Sequence, residues 1–265
     1  MTMDGGNGRG LSSRRVSSPE AYAEYEQALA CETVVPMLGR WGITIAGAAI
    51  LDAGCGMGGV TVALAARGAR VLGLEIDAER VEAARRFAEK SGVSAQYVCA
   101  DATIGTSLDD HRDFDGIVLR DVVEHVADSG GMLCRFRRSI RGNGWMFVSF
   151  PPYYSPYGGH QHHPQSRTKY VPWVQVLPGR LYERWLPDIP EYRAEVRSLN
   201  RMTISRFERE VRESGWKVRE REHYLIRPSL GFKHGLPVVR AGLLGRVPGL
   251  RELVVTGSYY LLVPE

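Results

Sequence analysis

The sequence predicts an α/β chain built on a doubly wound, mostly parallel sheet, and three observations carry that reading. An apolar run, Ile50-Leu51-Asp52-Ala53, breaks abruptly into the alternating glycines Gly54, Gly56 and Gly58. Further apolar runs recur after it, each separated from the next by a segment of helical character. Charged residues stand at successive run ends: Glu75, Asp101 and Arg120. Strands alternating with helices imply a parallel sheet with right-handed crossovers. In such sheets a ligand lies beyond the carboxyl ends of the strands, where all of these residues fall.

The elements follow in order. The first strand ends at the glycine turn, whose residues leave no Cβ to obstruct a molecule lying against the main chain. Val60, Val62, Ala63, Leu64 and Ala66 suit a helix packed on a sheet, closed by Gly68. The second strand, Val71-Leu72-Gly73-Leu74, ends in Glu75-Ile76-Asp77. A carboxylate there can accept from both hydroxyls of a ribose, or can cap the helix at 78–90. Asp77 is expected to cap and Glu75, directly on the strand end, to bind. Residues 95–100 read as a third strand ending at Asp101-Ala102, and 114–119 as a fourth, followed by Arg120. A helix at 132–140, a turn at Gly142-Asn143-Gly144 and a fifth strand at 145–150 complete the series. Two later runs, 216–225 and 253–263, raise the count to seven strands.

Taken together, Leu51-Asp52-Ala53-Gly54-Cys55-Gly56, Gly73-Leu74-Glu75, Ala100-Asp101-Ala102 and Asp121-Val122-Val123-Glu124-His125-Val126 resemble the class I S-adenosylmethionine-dependent methyltransferases. Their small-molecule group, which includes the quinone-biosynthesis O-methyltransferases, is the nearest in flavour. The resemblance covers about residues 45–150, with a weaker echo at the C-terminus. It implies a Rossmann-like seven-stranded sheet with an antiparallel last strand, and S-adenosylmethionine as cofactor with S-adenosylhomocysteine as product. By the same resemblance the Gly54–Gly58 loop would pass beneath the methionine part, Asp52, Gly54 and Gly56 would belong to the cofactor site, and Glu75 would hold the ribose. Ile76 would pack on the adenine, Asp101 and the Ala102 amide would meet its amino group, and Arg120 would line the methionine end. His125 matches a family position near the cofactor or packs a helix.

Composition bounds the alternatives. At 265 residues and 44% apolar content the chain can bury a real core. It reads as one domain over 19–265 after a Gly-, Ser- and Arg-rich tail at 1–18 expected to be disordered. No apolar run approaches about eighteen residues, so no transmembrane segment is expected. Without the apolar centre of a signal peptide, a cytoplasmic location is expected. Cys31, Cys55, Cys99 and Cys134 are widely spread and read as reduced thiols. Lys and Arg outnumber Asp and Glu two to one between Leu133 and Arg227. Much of that charge alternates in sign, as in Arg206, Glu208, Arg209, Glu210, Arg212 and Glu213, which suits a solvated helix face. No RNA-binding module accompanies it, so no nucleic-acid partner is expected.

After residue 150 the pattern changes. Prolines and paired glycines in 151–164 exclude continuous helix or strand. The insertion runs to about 202 and starts on the cofactor edge, where loops on a rigid scaffold carry specificity. Tyr153, Tyr154 and Tyr157 could wall an aromatic acceptor or simply anchor the loop, as could Tyr170 and Trp173; Gln161 could orient the acceptor. His160, His162 and His163 have no evident carboxylate partner nearby, so no metal is expected. His160, with His163 second, is the candidate general base, against the plainer reading of an exposed histidine cluster. Ser205-Arg206-Phe207-Glu208 has capping-box form ahead of a helix ending at Gly215. A helix over 21–38 would form an N-terminal lid within 19–44, with Tyr22 and Tyr25 closing over the cofactor. The apolar, glycine-rich insertion 226–252 could cover the site, form a homodimer or touch lipid.

The functional expectation is methyl transfer to a small-molecule acceptor, most readily a hydroxyl oxygen of an aromatic or natural-product substrate. The alternatives are non-methylating use of the sulfonium, a cofactor-binding protein without catalysis, and RNA or protein methylation.

Overall fold

The computed structural model describes residues 18–104, 112–161 and 165–265. Helices α1 (Pro19–Glu32) and α2 (Val34–Arg40) lead into strand β1 (Ala49–Ala53). Next come α3 (Gly59–Ala65), β2 (Arg70–Glu75), α4 (Ala78–Lys90), β3 (Gln96–Cys99) and β4 (Phe114–Arg120). Helix α5 (Ser129–Ser139) precedes β5 (Ile140–Phe150). The first insertion then contributes α6 (Gly179–Trp185) and α7 (Pro190–Ser198), and α8 (Ile204–Glu213) precedes β6 (Trp216–Ile226). Helix α9 (Pro228–His234), β7 (Val239–Arg240), α10 (Leu250–Val254) and β8 (Gly257–Pro264) finish the order.

The strands form one sheet in the order β3-β2-β1-β4-β5-β8-β6-β7. The first five are mutually parallel, and β8 runs antiparallel between β5 and β6. This is the expected Rossmann-like sheet with one addition. The insertion after β6 supplies β7, a two-residue edge strand, so the described residues form eight strands rather than seven.

Both faces of the sheet are covered, and side-chain alternation explains how. Successive residues of a strand point to opposite faces. Leu51, Ile117 and Met146 join one core with Leu133 and Phe136 of α5 and Phe207 and Val211 of α8. Their neighbours Ile50, Val118 and Phe147 join another with Met37 and Leu38 of α2 and Val60 and Leu64 of α3. The strands therefore read as near-continuous apolar runs, as a sheet buried on both sides requires.

Several local expectations are revised by packing. The single helix over 21–38 is two helices, broken at Thr33. Its hydroxyl donates to Leu29 O (2.6 Å), competing with the helical ladder. The break also places Pro36 in the first turn of α2, where a missing N–H costs nothing. The Gly142–Gly144 turn is a bulge within β5: Phe114 pairs with Ile140 and Gly116 with Trp145, so residues 141–144 loop out. Thr203, rather than Ser205, caps α8 by accepting from Arg206 N (3.0 Å). Leu253 and Val254 belong to α10, because the final strand begins at Gly257. The charges of α8 are only partly solvated. Glu208 receives Arg251 (2.9 Å) and Arg221 (3.0 Å), and Glu210 receives Arg206 (2.7 Å) and the Ser129 hydroxyl (2.6 Å). No helix among the described residues is long and apolar enough to cross a membrane.

His223 of β6 gives the sheet a measurable pH dependence. Its Nδ1 meets Ser258 Oγ (3.2 Å), while Nε2 is buried without a partner. Burial pushes its pKa down to about 4. The unfolded chain binds this proton near pH 6.5, so the stability is whole above that value and is lost as pH falls toward 4. Urea unfolding between about pH 7.5 and about pH 4.5 should show a loss on the order of 2–3 kcal/mol from this group. In His223→Gln that part of the pH dependence should vanish.

Candidate functional site

The site begins where β1 stops. Gly54 and Gly56 both have positive φ, +75° and +54°, a backbone region that L side chains rarely enter. A Cβ on Gly54 would also stand 2.4 Å from Val122 Cγ2, so the loop and the segment after β4 pack directly together. Beneath the loop, Asp52 is buried and accepts from the Thr61 hydroxyl (2.6 Å). Burial raises its carboxyl to about 7, against the lowering effect of that hydrogen bond.

Glu75 ends β2 and is buried. Its carboxylate accepts from the amides of Gly56 (2.9 Å), Ile76 (2.9 Å) and Asp77 (3.2 Å). It therefore ties the glycine loop to the end of β2. Asp77 caps α4 through Glu79 N (2.8 Å) and Arg80 N (3.3 Å), as expected of it. Ile76 is 65% exposed beside this buried carboxylate, an apolar surface open to a planar group. Asp101 turns one oxygen to Thr103 N (2.7 Å) and Thr103 Oγ1 (2.6 Å), with Ala102 half-buried next to it.

At the end of β4, Arg120 is nearly buried and sits between two carboxylates, Glu26 of α1 (3.3 Å) and Asp121 (3.6 Å). Asp121 has φ of +53° and meets Arg227, just before α9, at 3.5 Å. Tyr25 of α1 packs against Phe232 of α9 with ring centroids 5.5 Å apart. The N-terminal helix and the second insertion thus meet over the same strand end.

A second group stands on the 3₁₀ turn Val123–His125, held by Asn200, whose Nδ2 donates to Val123 O (2.8 Å) and Val126 O (2.5 Å). Glu124 is buried, and neither carboxylate oxygen has a hydrogen-bond partner. His160 places Nε2 at 3.7 Å from Glu124 and Nδ1 at 3.1 Å from Glu195 of α7, edge-on to His125. Burial alone would lower its pKa, but the two carboxylates carry it up to about 9, whereas burial holds His125 below its ordinary value. His160 also has φ of +55°, a strained backbone of the kind that clusters at functional sites. Glu124, His125 and His160 each offer one donor atom, all within 4.8 Å of one another. Two imidazoles and a carboxylate are donors suited to a divalent transition ion. His160 therefore does have carboxylate partners, although they are remote in sequence.

Other expected substrate residues brace the insertion. Gln161 is fully buried and its Nε2 donates to Pro156 O (3.0 Å) and Val171 O (3.2 Å). The Tyr153 hydroxyl donates to Gln175 O (3.2 Å), and Tyr154 stands edge-on to its ring. Tyr154 and Tyr157 are half-buried. His163 lies outside the described residues. Glu26, Glu195 and Arg227 were not anticipated in the sequence, where no spacing links them to Arg120, His160 and Asp121.

Comparison with known proteins agrees with this edge. Residues 51–148 match the family model described as a methyltransferase domain. Over 103 residues the chain is 39% identical to the ubiquinone biosynthesis O-methyltransferase of Methylocella silvestris, covering 39% of this chain and 40% of that one. It is 35% identical over 107 residues to the namesake of Coxiella burnetii, covering 40% and 45%. The chain thus spans less than half the length of these curated relatives. Among solved structures, magnesium protoporphyrin IX methyltransferase from Synechocystis with S-adenosylhomocysteine bound has a TM-score of 0.57 at 14% identity, over 97% of this chain and 92% of that one. An S-adenosylmethionine-dependent methyltransferase from Clostridium acetobutylicum has a TM-score of 0.58 at 10% identity, over 89% and 91%.

Residues 51–148 match a methyltransferase domain, and the fold and strand-edge motifs are similar to those of the class I S-adenosylmethionine-dependent methyltransferases. The cofactor of that class is S-adenosylmethionine. The residues present fit that group: a main chain bare of Cβ atoms, a carboxylate at the end of β2, an exposed Ile76 and a cation at the end of β4. Because Glu75 ties down the glycine loop while Asp77 only caps α4, their alanine variants should separate. In Glu75→Ala, calorimetric affinity for S-adenosylhomocysteine should fall at least about tenfold, as loss of hydrogen bonds to a charged group implies. In Asp77→Ala affinity should hold while stability drops by about 1 kcal/mol.

Proposed function

We propose that this chain transfers a methyl group to a hydroxyl oxygen of a small aromatic or natural-product acceptor. The observation that carries the reading is the buried, unsatisfied Glu124 carboxylate facing His160, on the same sheet edge as the cofactor residues. S-adenosylmethionine, when bound, supplies an electrophilic methyl on a sulfonium. The acceptor oxygen must then be held in line and relieved of its proton, and alignment is the larger contribution. The name of the curated relatives, ubiquinone biosynthesis O-methyltransferase, supports oxygen as the methylated atom.

The geometry supports the following residue roles. Glu124 and Glu195 orient the His160 ring and hold it as an imidazolium at neutral pH. It becomes able to accept a proton as pH rises toward 9. A hydroxyl placed between His160 and Glu124 would satisfy the orphaned carboxylate and pass its proton to the pair. Tyr154 and Tyr157 are the candidate walls of the acceptor space. His163 stays the second candidate base. His125 is a further one, because burial keeps its ring neutral at pH 7.

A pH–rate profile with a catechol probe tests this. The kcat/KM should rise with pH along a limb whose pKa is near 9. His160→Asn, which tolerates the left-handed backbone, should lower turnover by roughly 10²- to 10⁴-fold while affinity for S-adenosylhomocysteine holds. A limb below the ordinary histidine range that survives in His160→Asn would give the base role to His125. Tight cofactor binding without methylation of any hydroxylated aromatic would instead favour a binding protein.

A further inference from the structure

Beyond the acid–base roles above, the geometry of Glu124, His125 and His160 fits a bound cation. Their donor atoms lie within 4.8 Å of one another. Glu124 is 2% exposed, and neither carboxylate oxygen has a hydrogen-bond partner. His160 Nε2 stands 3.7 Å from that carboxylate, wider than the roughly 2.9 Å of a hydrogen bond. Two ligands each about 2.1 Å from a shared tetrahedral ion lie about 3.4 Å apart, which is nearer to the observed gap.

The far side of each ring is already taken. His160 Nδ1 meets Glu195 at 3.1 Å, and the Tyr192 hydroxyl donates to His160 O (3.0 Å). His125 Nδ1 meets Ser198 Oγ at 2.8 Å. That hydroxyl gives its own proton to the Glu195 carbonyl (2.7 Å), so it accepts from the ring and sets the Nδ1–H tautomer of His125. Glu195 and Ser198 both belong to α7, so one short helix orients both rings. In each ring Nε2 is left to ligate, and an oxygen behind the other nitrogen is the usual support of a metal-bound imidazole. Asn200 fixes the third member of the cluster, its backbone amide donating to Glu124 O (2.8 Å).

We propose that Glu124, His125 Nε2 and His160 Nε2 form a binding site for a divalent transition ion of the zinc class. Two imidazoles and one carboxylate suit such an ion, whereas magnesium prefers an oxygen shell. Three protein ligands leave a coordination position open, as in catalytic rather than structural zinc sites. The site rests on the reading of this cluster as the acceptor end of the pocket, and it adds the group that the acceptor meets there. A hydroxyl entering the open position binds the ion through oxygen, and its O–H bond breaks with the proton released to water. The oxygen keeps the electron pair, which attacks the methyl while the C–S pair goes to sulfur. Ion and proton compete for His160 Nε2, so the base role described above belongs to the metal-free chain.

The test titrates zinc into the untagged, chelator-treated full chain by calorimetry, with cobalt(II) as an optical probe of the same site. A single ion should bind per chain, and cobalt should show the visible bands of a low-coordinate site. Glu124→Gln and His125→Gln should each lower zinc affinity at least about 100-fold. Glu195→Gln should lower it about 10- to 100-fold, the range for a group that supports a metal-bound imidazole. His223→Gln, on β6 and outside the cluster, should bind zinc as the wild type does. A cooperative thermal transition in each metal-free variant shows that it is folded. No zinc binding by the wild type, or affinity that survives both Glu124→Gln and His125→Gln, overturns the site. The functional reading fails separately. Zinc bound at the cluster without methylation of any hydroxylated aromatic leaves the site standing and removes the O-methyl assignment, while methylation by a chain that binds no zinc does the reverse.

Discussion

One buried carboxylate organises the cofactor edge. Glu75 accepts three amides, one from the glycine loop after β1 and two from the turn after β2. Parallel strands all end on the same side, and each end leaves amides without ladder partners. A carboxylate at one of those ends collects them and sets the loop at a fixed height above the sheet. The contact of Gly54 with Val122, the placement of the Val123–His125 turn and the seat of α1 over Gly59 all depend on that height.

The same edge is crowded with charges taken out of water, and their pairing shows how the domain tolerates them. Glu26, Arg120, Asp121 and Arg227 alternate in sign, so no ion faces a like neighbour without an intervening opposite charge. Glu124 departs from this rule, with two oxygens unsatisfied and an imidazole at 3.7 Å. Burying a carboxylate without hydrogen bonds is costly, and such costs collect where a protein binds something.

Much of this architecture was legible in the sequence, because the informative signals were local. A glycine turn after an apolar run, a carboxylate at the next run end and alternating strands and helices are each contained in a few residues. That pattern located Glu75, Asp101 and Arg120 at one edge and separated Glu75 from the cap Asp77. What remained hidden was built from long-range meetings. Glu26 reaches Arg120 from the first helix, and Glu195 reaches His160 from a helix inside an insertion. Nothing in the composition around either residue marks it. The aromatic and amide side chains after residue 150 misled in the opposite direction. Tyr153 and Gln161 look like substrate contacts, but a long irregular segment must satisfy its own carbonyls, and these side chains are consumed in doing so.

The position of β8 has a consequence for the order in which the chain acquires its structure. β8 follows every other strand in the sequence, yet it lies between β5 and β6 rather than at an edge. Phe147 must find Leu261, and Glu222 must find Tyr259, across one late strand. Until β8 has left the ribosome, β5 and β6 expose open edges, apolar on β5, of the kind that pair with other chains. A chain that has not yet added β8 therefore carries two unpaired strand edges inside its future sheet. Loss of this one strand would unpair both β5 and β6, far more of the sheet than its length suggests.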